Sequence, residues 1–305
     1  MVLVKVSLLF QIALNNICTC RDLQYHVGCS GWSYTSWQGP FYPQNLTNSG
    51  WLNYYSHVFD YVEIDSSFYR IPNVFMVNNW NTKTPKDFKF TAKFPKVITH
   101  EKRLKQVDKE LDHFFEAMGR LSNKTLALLI QLPPSLHIRE GLERLRELVP
   151  SLDNRFRYAI EIRHNSWFQD LTYNFFANND ICLVWSQLAE LQTPPVVTTD
   201  FLYVRFIGDR SIQEKDFGRI QIDRITEMQK WAENIKNVQG EDMNLAIVAA
   251  NNHYAGFGPG TVNMFRNMIG LLEAKWEEKV MGIQKQEEQY SSHESRQRTL
   301  SEFMN

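Results

Sequence analysis

The chain has 305 residues, 43% of them hydrophobic and 13% aromatic, which is enough apolar material for one large core or two modest ones and excludes a chain disordered by composition. With 33 Lys and Arg against 34 Asp and Glu, the formal charge of -1 gives no whole-molecule attraction to nucleic acid or to an anionic membrane, so any such binding must rest on a local patch. Four scattered cysteines, Cys18, Cys20, Cys29 and Cys182, argue against a disulfide framework and fit a reducing cytoplasm, and Cys18 with Cys20 lacks the second pair of a zinc ribbon.

Residues 1–24 read as an N-terminal extension. Their apolar run is broken by Gln11, lacks a clean small-x-small cleavage site and is too short to span a membrane. From Tyr25 onward, β-rich apolar runs follow in order: "YHVGCSG" (25–31), "FDYVEIDSS" (59–67), "FKFTAKF" (88–94), "TLALLIQLP" (125–133), "FRYAIEIR" (156–163), "ICLVWS" (181–186), "FLYVRF" (201–206) and "NLAIVAAN" (244–251). Between them lie stretches of helical spacing. In "EKRLKQVDKELDHFFEAMGRL" the residues Leu104, Val107, Leu111, Phe114, Phe115 and Met118 share a face, and in "ITEMQKWAENIKNV" Ile225, Met228 and Trp231 do. Strands alternating with helices predict a parallel sheet with right-handed crossovers, and eight such units over residues 25–280 predict an α/β TIM-like (β/α)8 barrel with helices outside. A doubly wound sheet is the rival, but no Gly-x-Gly-x-x-Gly follows the first strand.

In such a barrel the carboxyl ends of the strands carry the site. The first run then supplies Ser30, Trp32 and Trp37, and the second Glu63, Asp65, Phe68, Tyr69 and Arg70. The third gives Lys93 and His100, the fourth Gln131, and the fifth Glu161, Arg163, His164 and Trp167. Tyr203 and Arg205 come from the seventh, and Asn251, Asn252 and His253 from the eighth.

The segments "GCSGWSYTSWQGPFYP", "FDYVEIDSSFYRIP", "FKFTAKFPKVITHEKRL", "LLIQLPPSL", "AIEIRHNSWF", "YVRFIGD" and "AANNHYAGFGPGT" together resemble, in order and spacing, the YecE-like family known as domain of unknown function 72. The resemblance runs from about Tyr25 to Lys275 and implies a TIM barrel but no established reaction. The family usually has a histidine where this chain has Ile207, and often an aspartate near "LVWSQ".

Glu63 and Glu161 are the candidate general acid and base, against the alternative that each only neutralises a neighbouring cation. Lys93, Arg70, Arg163 and Arg205 suit a phosphate or carboxylate. Trp32, Trp37, Tyr69, His164, Trp167, Tyr203, Asn251 and Asn252 are further candidates for substrate contact. His100, His164 and His253, with Glu63, Glu161 or Asp65, are possible ligands of a divalent metal, although no spacing specifies the ion.

From about residue 281 the chain is polar and charged, as expected of a flexible tail. It closes on Gln297, Leu300, Phe303 and Met304, spaced like the peptide that docks replication and repair proteins on the sliding clamp (PCNA). Three functions follow as expectations for a cytoplasmic protein with no membrane association. One is a hydrolase acting on a phosphate-containing substrate, phosphodiester or related, in clamp-recruited repair or processing of nucleic acid. A second is an enzyme on a small anionic or sugar-like metabolite, using the glutamate pair. The third is a barrel that binds without catalysis.

Overall fold

All eight apolar runs form strands, and the sixth forms two. In the computed structural model, which describes residues 23–238, 240 and 243–276, the strands are β1 (Gln24–Ser30), β2 (Tyr61–Ile64), β3 (Lys89–Lys93), β4 (Thr125–Gln131), β5 (Tyr158–Glu161), β6 (Ile181–Leu183), β7 (Trp185–Leu188), β8 (Phe201–Gly208) and β9 (Leu245–Ala250). Nearly all of the expected extension and the tail with Gln297, Leu300, Phe303 and Met304 lie outside the described residues, as do Cys18 and Cys20. Every pairing is parallel, in the order β6-β5-β4-β3-β2-β1-β9-β8-β7. The sixth run changes partner at Val184: β6 pairs with β5, β7 pairs with β8, and the Val184 N–H donates to the Ile160 carbonyl at 3.0 Å. That switch curls the sheet into a nearly closed barrel.

Around it run α1 (Asn48–Val58), α2 (Val74–Thr82), α3 (Asp108–Gly119), α4 (Ile138–Leu148), α5 (Asp170–Asn178), α6 (Ile225–Val238), α7 (Asn252–Ala255) and α8 (Gly258–Met268). The β7–β8 connection carries no α-helix. It contains Pro194-Pro195, and proline both removes a helical N–H and clashes with the preceding turn. Helix α3 is shorter than its hydrophobic spacing predicts, because Arg103, Leu104 and Gln106 have positive φ and break the first turn. Leu104 and Val107 are nonetheless buried with the helix's own apolar face. In α6 the buried stripe is Met228, Trp231 and Ile235, while Ile225 at the first turn is exposed.

Alternation along the strands divides the core into two layers. One set of side chains (Val62, Ile64, Leu128, Ile130, Leu202, Val204) packs outward against the helices. The other set (Tyr61, Ala127, Leu129, Ala159, Cys182, Tyr203, Ile247, Ala249) forms a separate cluster filling the lumen, small beside large. Gly28 belongs where β1 meets β2. The Tyr55 hydroxyl lodges between the two strands, accepting from the Cys29 N–H at 2.8 Å and donating to the Tyr61 carbonyl at 3.0 Å, and a Cβ on Gly28 would lie 2.0 Å from that carbonyl oxygen. Because all strands run the same way, the polar residues that continue the lumen alternation all emerge at one end.

Candidate functional site at the carboxyl mouth of the barrel

Two steps along β2 from lumen residue Tyr61 stands Glu63, two steps along β5 from Ala159 stands Glu161, and two steps along β8 from Tyr203 stands Arg205. Glu63 and Glu161 are 0% exposed and Arg205 1%. Arg205 joins the two carboxylates: its Nε donates to Glu63 Oε2 at 2.8 Å, its Nη2 to Glu63 Oε1 at 2.6 Å, and its Nη1 to Glu161 Oε2. Ser30, in register with Glu63 on the neighbouring strand, donates its hydroxyl to Oε1, and Tyr203 donates its own to Oε2. Glu161 also accepts from Arg163, which reaches Gln131 Oε1 at 3.2 Å. Lys93 pairs with Asp65 and stands 3.9 Å from Glu63 and 5.9 Å from the centre of the Phe68 ring. Below this layer Tyr61, Thr91 and Tyr203 join their hydroxyls at 2.7–3.2 Å.

Burial alone would raise the Glu63 carboxyl, but Arg205 and Lys93 more than reverse this and hold it at about 2. Glu161 is likewise lowered, by Arg163 and Arg205 acting against burial. Burial, and then the charge of Glu63, raises Tyr203, so this phenol remains a donor. Arg205 keeps its proton because Glu161 and Glu63 outweigh its desolvation.

Above the network opens a cavity of about 530 Å³. Lys93, Gln131, Arg163 and Arg205 form its floor, and Asp65, Phe68, Tyr69 and His100 come from the loops after β2 and β3. The opposite wall is Asn251 and His253 after β9, together with Ile207, Arg210, Glu214 and Phe217 from the end of β8 and its long connection. Facing the cavity are the four cations Lys93, Arg163, Arg205 and Arg210 against the two acids Asp65 and Glu214. Glu63 and Glu161 lie beneath the floor and do not line it. His100 bonds Thr99 Oγ1 at 2.8 Å, and burial, then Arg163 and Lys93, lower its pKa. Burial lowers His253 as well, and its Nδ1 has no hydrogen-bond partner among the described residues. A larger hollow of about 910 Å³ lies where the start of β1 meets α6 and the end of α8, remote from these groups.

The other expected site residues divide by burial. Trp37 is 0% exposed, with its Nε1 donating to Asn252 Oδ1 at 3.0 Å. Asn252 is itself buried, so both belong to the packing under the mouth. Trp167 is 0% exposed and donates to the Leu136 carbonyl at 2.8 Å, while His164 caps the turn at Asn165 and stacks on His137 at 3.8 Å, outside the cavity. Arg70 is exposed and also outside it. Trp32 lines a smaller adjoining cleft. Among the described residues no three His, Cys, Asp or Glu side chains gather as a metal set, so His100, His164 and His253 do not form the expected constellation with Glu63, Glu161 or Asp65. Four further residues of the cavity, Ile207, Arg210, Glu214 and Phe217, follow or end β8. Only Ile207 was signalled by the two-residue alternation Tyr203, Arg205, Ile207.

Comparison with known proteins agrees with this architecture. Residues 26–286 match the family described as protein of unknown function DUF72. UPF0759 protein YecE of Escherichia coli strain K12 is 30% identical over 143 residues, 47% of this chain and 50% of that protein. UPF0759 protein YunF of Bacillus subtilis strain 168 is 28% identical over 155 residues, 48% and 54% of the two chains. The chain thus spans about half the length of the curated relatives it matches. The crystal structure of a DUF72 family protein from Thermotoga maritima superposes with a TM-score of 0.68 at 28% identity, covering 81% of this chain and 99% of that one. With most of its length matched by that family and the barrel shared with a solved member, the chain belongs to the DUF72 family.

Proposed function

We propose that the mouth of the barrel binds and processes a compact anionic metabolite bearing a phosphate or carboxylate. The observation that carries this reading is the excess of cations facing the cavity, Lys93, Arg163, Arg205 and Arg210 against Asp65 and Glu214, with the neutralising Glu63 and Glu161 below the floor. Guanidinium forks match phosphate and carboxylate geometry, and their attraction strengthens where water is scarce. Glu63 and Glu161 then act as fixed negative supports that hold Arg205 and Arg163 in place. Glu63 is fully engaged by Ser30, Tyr203 and Arg205 and stays ionised, which leaves it unsuited to deliver a proton. His100 and His253, both lowered and on opposite walls, are the better proton carriers, and acid/base hydrolysis of a phosphate ester is the reaction class we assign. Equilibrium dialysis of inorganic phosphate against the protein tests the reading. Saturable binding weakened by Arg210→Ala is expected, and no binding at millimolar phosphate would sink it.

A second reading rests on sequence alone. Gln297, Leu300, Phe303 and Met304 keep the spacing of a sliding-clamp peptide, which would recruit the barrel to DNA repair or nucleic-acid processing. Its test is calorimetric titration of a peptide covering 295–305 into the clamp of the source organism. Saturable binding should vanish when Leu300 and Phe303 are both replaced by alanine, and absence of binding removes the reading.

A further inference from the structure

The 530 Å³ cavity does not end at Asp65. Beside it lies a cleft of about 200 Å³, and Tyr34, Asp65 and Tyr69 form walls of both. From the structure of this second cleft we infer that the ligand is bipartite: a polyhydroxylated ring in the aromatic cleft, joined to an anionic group held over the guanidinium floor. The inference deepens the anionic-metabolite reading and rests on it.

The cleft is a built space. Gly31 has φ +84, and a Cβ there would lie 2.8 Å from the Tyr34 hydroxyl, so glycine keeps the base of the cleft open. The Gly31 N–H donates to the Glu63 carbonyl at 2.9 Å, which ties the cleft to the strand carrying the charged network. Trp32 is fixed edge-on against Trp80 with ring centres 5.9 Å apart, and its carbonyl accepts from the Tyr42 hydroxyl at 2.6 Å. Facing outward is Tyr69, 66% exposed, a large ring left in water. An apolar void of about 150 Å³ is known to hold a benzene ring, so a cleft of about 200 Å³ admits one ring and not two.

Asp65 decides the kind of ring. Its carboxylate pairs with Lys93 at the shared wall and stays 26% exposed. A part-exposed carboxylate beside two aromatic side chains calls for donors on the ligand, and the exposed Ser66 in the same cleft adds a second polar partner. A sugar ring offers both an apolar face for Trp32 or Tyr69 and hydroxyls for Asp65. Its phosphate, two or three bonds from the ring, would then cross the shared wall toward Lys93 and Arg163. The two subsites act on one molecule, so filling both gains affinity that neither part has alone.

The test is calorimetry on the full chain with inorganic phosphate, glucose, glucose 6-phosphate and adenosine monophosphate at one pH and salt. Glucose 6-phosphate is expected to bind at least ten-fold tighter than phosphate. Tyr69→Ala, at an exposed position, should keep the melting temperature while reducing that advantage to less than two-fold. Phosphate binding with no gain from the sugar overturns this inference alone, as does a gain that survives Tyr69→Ala. Preference for adenosine monophosphate over glucose 6-phosphate replaces the sugar with a flat base and overturns it too. Silence from every phosphate compound overturns the anionic-metabolite reading itself.

Discussion

Arg205 grips Glu63 with two nitrogens, at 2.8 and 2.6 Å, and keeps its third for Glu161 on the far side of the lumen. One cation thus bridges two carboxylates that have no contact with solvent, with Arg163 paired to Glu161 and Lys93 3.9 Å from Glu63. Removing one partner of a buried ion pair strands the other, at a cost of about 3–5 kcal/mol. Arg205→Met should therefore lower unfolding free energy by about that range in urea melts, since Glu63 loses its two-nitrogen partner while Glu161 keeps Arg163. Arg205→Lys, which keeps the charge and loses the fork, should lose less. A loss below about 1 kcal/mol for Arg205→Met would show that water or a rearranged Lys93 has taken over the role.

The same carboxylates set an acid limit. Glu63 is held at about 2 against an ordinary 4.5, and Glu161 is lowered in the same direction. A group whose folded pKa is depressed contributes stability that is complete above its unfolded value and is lost as pH falls toward the folded one. Stability should accordingly fall between about pH 4.5 and pH 2, and Glu63→Gln should flatten that part of the curve while lowering stability at pH 7. Denaturant melts at several pH values measure both.

Burial keeps His100 and His253 below the usual imidazole value of 6.5, helped at His100 by Arg163 and Lys93. Both should be neutral at pH 7, and nitrogen-15 NMR should show them gaining protons only below pH 6.5. Arg163→Gln is expected to move the His100 midpoint upward and leave His253 unmoved, because only His100 feels that charge. Equal movement of both would mean the cavity had rearranged.

Arg210 carries its cation on a strained backbone, φ +62, and has no ion pair among the described residues. Glycine adopts that conformation without penalty. Arg210→Gly should raise thermal stability, by about 1 kcal/mol at most, while weakening phosphate binding several-fold. Stability gained without loss of binding would remove Arg210 from the proposed site.

Gly28→Ala should be among the more damaging single-methyl additions, because the new carbon has a backbone carbonyl 2.0 Å away and no flexible neighbour to yield. A loss of about 3 kcal/mol, visible as a lower urea midpoint, is expected from the forced separation of β1 and β2.

The sequence alone determined the eight apolar runs that become strands, because an apolar run of four to eight residues between turn signals depends on local chemistry and reads without a partner. It also made Glu63, Glu161, Lys93, Arg163 and Arg205 visible as strand-end charges, and alternation along each strand put them on the lumen face with Tyr61 and Tyr203. Burial was not legible in the same way. Trp37 and Trp167 have the composition of stacking residues, and only the closed barrel puts them at 0% exposure while leaving Tyr69 at 66%. Neither the break of the sixth run at Val184 nor the arrival of Arg210, Glu214 and Phe217 at the mouth has a periodic signal, since both depend on which strand lies alongside. Residue type and period are properties of neighbours in the chain. Which carboxylate shares which guanidinium across the lumen is a property of closure, and only the tertiary structure decided it.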